Sequence, residues 1–133
     1  MKIKKVIIFT DGASQGNPGP AAIGAIIKDE QGRVIASISQ GIGRATNNQA
    51  EYRAIIAALE NAIKLGASQV EIRSDSELVV RQINGQYRVK NAALKPLYQQ
   101  VKHQQSQLDS FTITHIPREE NTEADGLASM ALE

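Results

Sequence analysis

The sequence predicts a single α/β domain built on a mixed sheet, in the element order βββαβααβα. Three observations predict it. Three β-branched stretches follow one another before any helical pattern appears. A short strand is then joined tightly to a helix, as in βαβ-like arrangements, and a last alternating stretch precedes a small amphipathic helix. At 133 residues, with 41% apolar and 22% charged residues, one domain over residues 1–133 around one modest core is expected.

Ile3 to Thr10, Ala21 to Lys28 and Arg33 to Gln40 read as strands, with Gly32 marking the tight turn of an antiparallel meander. Thr46 or Asn47 can cap a helix running to about Leu65, whose stripe is Ile55, Ile56, Leu59, Ala62 and Ile63 and which Gly66 ends. Its Ala-rich face permits close packing on a sheet. Val70 to Ser74 is a short strand; Ser76 can cap a helix through Ile83, and Asn84 with Gly85 stops it. Asn91 to Gln107 reads as a helix carrying Leu94, Leu97 and Val101, in which Pro96 must lie in the first turn or kink the helix. Phe111 to Ile116 alternates like a strand, and Asn121 to Leu132 places Ala124, Leu127, Ala128 and Ala131 on one helix face. No internal repeat or linker is visible.

Composition narrows the chemistry. The absence of cysteine rules out disulfides, thiolate catalysis, Cys-ligated zinc and iron–sulfur clusters. The opening MKIKKVIIF has an apolar run only from Val6 to Phe9 before Thr10, Asp11 and Gly12, too short for a signal peptide core or a membrane span. The expected compartment is the cytoplasm, with no membrane partner. A net charge of +1 says little, but its distribution is uneven: Leu78 to Leu108 holds Arg81, Arg88, Lys90, Lys95 and Lys102, with His103, and no acid. That stretch is either a Gln-rich solvated surface or a positive flank that holds phosphates.

The acids fall at element ends. Asp11 ends the first strand and Asp75 the fourth; if these strands are parallel neighbours, both side chains reach the carboxyl edge of the sheet, where open α/β proteins place their chemistry. Glu51 and Asp125 lie in the first turns of two helices, where capping and the helix dipole alone would favour acids. Four converging carboxylates without matching Lys or Arg would repel one another unless a cation or protons intervene. Hard oxygen ligands suit Mg²⁺ or Mn²⁺. The stretch Gly12 to Pro20, GASQGNPGP, is neither a P-loop nor a dinucleotide fingerprint. Its glycines would let backbone amides approach a polyanion, or simply form a turn.

Four motifs, TDGASQGNPGP at 10–20, TNNQAEYRA at 46–54, RSDSELVV at 73–80 and ENTEADGLA at 120–128, together resemble the type 1 ribonuclease H family. The similarity covers nearly the whole chain. It implies a ribonuclease H-like fold, a five-stranded mixed sheet ordered 3-2-1-4-5 flanked by helices. The implied activity is metal-dependent cleavage of the RNA strand of RNA/DNA hybrids to 5′-phosphate and 3′-hydroxyl products. Asp11, Glu51, Asp75 and Asp125 match the family's metal-binding catalytic carboxylates. Two Mg²⁺ ions are expected with substrate, with Mn²⁺ as a substitute and no organic cofactor. Gly12, Ala13, Ser14, Asn17, Asn48 and Gln49 resemble the set that contacts the minor groove and its 2′-hydroxyls.

Two departures stand out. Glu77 occupies the place where many relatives have Gln to contact the RNA strand, and an acid there must point away from phosphate or accept from a 2′-hydroxyl. His115, ten residues before Asp125, has a spacing compatible with the family's mobile His, while HIPREENTEAD resembles members that place an Arg in that loop, here Arg118. The interval from Gly85 to Asn91 is too short for an extra helix and basic protrusion, which marks the compact bacterial and archaeal form. Hybrid affinity is then lower, or depends on Arg88, Lys90 and Lys95. The default assembly is a monomer. The main alternative is a non-catalytic or very weakly active hybrid-binding module of the same fold. A domain of the type attached to reverse transcriptases, or detached transposase or integrase chemistry, matches less well.

Overall fold

The computed structural model describes residues 3–133, so the first two residues of the charged opening stretch lie outside it. Its elements are β1 (Lys5–Ser14), β2 (Gly19–Lys28), β3 (Val34–Ala45), α1 (Asn47–Lys64), β4 (Gln69–Ser74), α2 (Glu77–Ile83), α3 (Lys95–Gln105), β5 (Ser110–His115) and α4 (Thr122–Ala131). A 3₁₀ turn at Arg118–Glu120, which the sequence pattern does not announce, leads into α4. The strands form one sheet in the order β3-β2-β1-β4-β5, as the resemblance implies. The meander β1-β2-β3 is antiparallel, and β1-β4 and β4-β5 are parallel.

Alternation decides the layers. Val6, Ile8, Val70 and Ile72 point to one face, where Tyr52, Ile55 and Leu59 of α1 cover them, with Val79, Val80 and Ile83 of α2 and Val101 of α3 closing the edge. Tyr52, its phenol pushed up mainly by burial, donates to Gln82 Oε1 at 2.7 Å, so its hydroxyl is satisfied inside this layer. On the opposite face α4 lies across β1, β2 and β3. It comes close because Gly24 has no side chain: a Cβ there would collide with the Ala124 carbonyl and the Ala128 N–H. Among the described residues no helix is long and apolar enough to cross a membrane.

Several predicted boundaries shift, each for a local reason. β1 does not stop at Thr10: after its pairing with β4 ends at Thr10 with Ser74, it stays paired with β2 through Ser14 opposite Ala21. Small residues carry little strand signal, so Gly12 to Ser14 read as a loop. Only the residues between Ser14 and Gly19 form the turn. β3 likewise runs past Gln40 to Ala45, bending at a register break opposite Ala21 and Ala22 with Gly43 at φ 78°. Thr46 rather than Asn47 is the α1 cap, in a reciprocal box: it accepts from the Gln49 N–H at 3.1 Å, and its own N–H donates to Gln49 Oε1 at 2.8 Å. α3 starts at Lys95, because the Asn91 side chain accepts from the Ala93 N–H at 2.8 Å and turns the chain, and Pro96 falls in the first turn. Ser76 and Asn121 hold cap positions, but neither side chain makes a cap bond.

Candidate active site

The site forms where β1 outruns β4. Asp11 sits on β1 just past the last β4 pairing rather than at the strand's end, and Asp75 directly follows Ser74. Both therefore face the opening between two parallel strands, as the sequence pattern anticipates. The first turns of α1 close it from one side. Gly12 is required here, because a Cβ would overlap the backbone of Ala50 and Glu51. The helix thus approaches until the Gly12 N–H donates to Glu51 Oε1 at 2.5 Å. Oxygens of Asp11, Glu51 and Asp75 lie within 4.8 Å of one another. Asp125, exposed in the first turn of α4, lines the same cleft of about 280 Å³.

Electrostatics follow from that crowding. Burial, then the Asp75 charge, then Asp125 push the Asp11 carboxyl up to about 8, with Arg118 opposing. Glu51 is raised well above the usual carboxylate range by burial first, then by Asp11 and Asp75, against the Gly12 N–H bond and Arg118. Without a cation the cleft therefore holds protons that isolated carboxyls would release at neutral pH. Arg118 is the one cation among the described residues that line it. Three hard oxygen donors in reach of one point, under-neutralised by protein charge, fit a divalent cation.

The other expected residues divide into groups. Gly12, Ala13, Ser14 and Asn48 line the carboxylate cleft, as do Asn47 and Ser76, which the sequence reading treats only as caps. Asn47 Oδ1 accepts from the Ser14 N–H at 3.0 Å, and the Asn47 N–H donates to Asn17 Oδ1 at 3.1 Å. Asn17 and Gln49 thus brace the turn and the helix start. Together with Asn48 they border an adjoining hollow of about 190 Å³. Arg88 and Lys95 line a separate, larger hollow of about 680 Å³ with Tyr87 and Tyr98, and Lys90 is exposed on the same segment. Glu77 is exposed and accepts from Arg81 Nε and Nη2 at 3.2 Å each, and Arg81 lies 5.4 Å from the Tyr87 ring centre. The acid at the Gln position is therefore neutralised by its neighbour one turn on. His115 is exposed at the end of β5 and is absent from the residues lining the cleft.

A family model described as reverse transcriptase-like matches residues 9–131. A bifunctional protein of Mycobacterium tuberculosis is 46% identical over 97% of this chain, which spans 36% of that protein's length. The crystal structure of an RNase H1 from Halobacterium salinarum superposes with a TM-score of 0.94 at 44% identity, covering 96% of this chain and 97% of that one. An RNase H1 isolated from compost, crystallised with an RNA/DNA hybrid, gives a TM-score of 0.91 at 44% identity over 95% of each chain. In sequence and in backbone alike, the chain belongs to the ribonuclease H family, among relatives of the bacterial and archaeal type 1 enzymes.

Proposed function

We propose that this chain is a metal-dependent endonuclease that hydrolyses the RNA strand of RNA/DNA hybrids, leaving 5′-phosphate and 3′-hydroxyl ends. The observation that carries the reading is the convergence of Asp11, Glu51 and Asp75 within 4.8 Å, with Asp125 at the mouth of the same cleft. A purely nucleic-acid-binding face would gain nothing from crowding three mutually repelling acids, two of them buried, where a polyanion must dock. The likeness to an RNase H1 crystallised with hybrid supports the substrate class.

In this reading Asp11, Glu51 and Asp75 hold Mg²⁺, or Mn²⁺ in its place, and Asp125 completes the set. When bound, the ions supply Lewis acidity toward the phosphodiester and a water acidified enough to attack it. The chain's own work is placement. The Gly12 N–H keeps Glu51 turned into the cleft. The backbone of Gly12 to Ser14 and the Asn48 amide border the cleft and in this reading meet the 2′-hydroxyls of the minor groove. Arg118 supplies positive charge to a phosphate entering or leaving, without a proton to transfer. Arg88, Lys90 and Lys95 carry the more distant phosphate contacts, and the protein acts as a monomer.

The test is cleavage of an end-labelled RNA/DNA hybrid in Mg²⁺ and in Mn²⁺. Single-stranded RNA, double-stranded RNA and duplex DNA are controls, and the Asp75→Asn variant runs beside the parent. Metal-dependent cutting confined to the hybrid RNA, with Asp75→Asn reducing it at least about a thousandfold at an unchanged melting temperature, is the expected result. Cleavage retained by the variant would overturn the site, and hybrid binding without cleavage by the parent would make the chain a binding module.

A further inference from the structure

Asn121 is the largest polar side chain buried to 1% exposure outside the carboxylate set, and it lies 111 residues from its partner: its Nδ2 donates to the Thr10 carbonyl at 2.9 Å. Thr10 is the residue immediately before Asp11. The same asparagine has two further ties through its backbone. Its N–H donates to the Arg118 carbonyl at 2.9 Å, closing the 3₁₀ turn, and its own carbonyl accepts the Asp125 N–H at 3.1 Å in the first turn of α4. A single residue thus touches the backbone at, or one residue from, three of the groups that line the cleft.

Asn121 Oδ1 and Thr10 Oγ1 are both buried without a hydrogen-bond partner in the protein. An unpaired buried oxygen subtracts from stability. It also forgoes the ordinary use of an Asn at a helix start, since the side chain caps no N–H of α4. The contribution of this side chain therefore lies in what its one N–H bond fixes, namely the separation between β1 and the entry of α4.

We infer that Asn121 is a positioning residue for the proposed cleavage: by tying the Thr10 carbonyl to the start of α4, it sets the distance of Asp125 and Arg118 from Asp11. The inference rests on the endonuclease reading. It differs from a purely stabilising role because two of the tied residues, Arg118 and Asp125, line the cleft and the third, Thr10, directly precedes Asp11. Two other polar ties join α4 to the sheet, Ser39 Oγ donating to the Leu127 carbonyl at 2.6 Å and Lys28 Nζ to Glu123 at 2.8 Å, but both reach β2 and β3. The Asn121 bond is the one that joins the entry of α4 to β1 beside Asp11.

Asn121→Asp keeps the shape and replaces the donor by an acceptor facing the Thr10 carbonyl, and Asn121→Ala removes the tie outright. Val101→Ala, on the buried face of α3 and away from the cleft, serves as a control for stability loss in the core. Hybrid cleavage gives kcat and KM, calorimetry gives Mn²⁺ affinity, and melting gives stability. Both Asn121 variants should lose at least tenfold in kcat with KM changed less than threefold and with weaker Mn²⁺ binding, while Val101→Ala keeps kcat and Mn²⁺ affinity. Unchanged kcat and Mn²⁺ affinity in a folded Asn121 variant would overturn the inference, leaving the residue as filler. If neither variant folds, the parent still decides. Mg²⁺ titrated into labelled protein should shift the Asn121 side-chain amide resonance together with those of Gly12 and Asp125, and a fixed Asn121 signal while the others move would overturn the coupling. A parent that cuts no hybrid would instead sink the endonuclease reading.

Discussion

Asp11 shows how far environment outweighs residue type. An exposed aspartate is ionised throughout the neutral range, yet here burial and two neighbouring acids, Asp75 and Asp125, raise its carboxyl to about 8. A cation entering the cleft must displace that proton, so metal affinity should climb with pH until about 8 and then level off. Calorimetric Mn²⁺ titrations at pH 6 and pH 8, each in two buffers of different ionisation enthalpy, should show at least about tenfold tighter binding at the higher pH. They should also show proton release at the lower pH. Equal affinity and no proton release would mean that Asp11 is already ionised in the empty site. The same residue illustrates what the sequence discloses. Its place after a β-branched run, together with Glu51 and Asp75, was legible from spacing. Asn121 was not, because an Asn before a helix signals a cap, and nothing local reveals that its amide reaches 111 residues away.

At the level of elements, strands and helices were legible wherever apolar periodicity was strong, and they failed where small residues took over. Val6 to Phe9 announce β1, but Gly12, Ala13 and Ser14 extend it only because β2 remains beside them. The tail of β3 from Gly41 to Ala45 hides for the same reason, and Asn91 looks like helix until its side chain is seen folding the chain back. These small residues matter at close approaches. Gly24→Ala would drive a methyl group into the backbone of α4 at Ala124 and Ala128. The expected cost is about 2–3 kcal/mol, as overpacking against an unyielding neighbour usually gives. Because α4 carries Asp125, cleavage should fall as well, by more than the loss in folded fraction explains. Denaturant melts read beside kcat test this; a stability loss with full specific activity would show that α4 can move without disturbing the cleft.

Across the whole molecule, the raised acids make stability depend on pH in an unusual direction. Asp11 and Glu51 bind protons more tightly in the folded protein than in the unfolded chain, where their values are ordinary. Their contribution is therefore fully present below the unfolded carboxylate range, and it is lost as pH rises through the folded values, about 8 for Asp11. In EDTA the melting temperature should fall between pH 5.5 and 8.5. Millimolar Mg²⁺ should recover most of that loss at the alkaline end, since binding to the folded state alone adds stability. A flat or rising profile in EDTA would contradict the crowding of the cleft.

One feature of the topology reaches beyond the finished fold. Asp11 belongs to the first strand and Asp125 to the last helix of the described residues, with most of the chain between them. Synthesis runs in that order, so β1 leaves the ribosome early and must wait for α4. A nascent chain halted before Thr122 has Asp11, Glu51 and Asp75 but lacks the helix that covers β1 to β3 and brings the fourth acid. The order of the elements thus defers the complete four-acid cleft until α4 has been made.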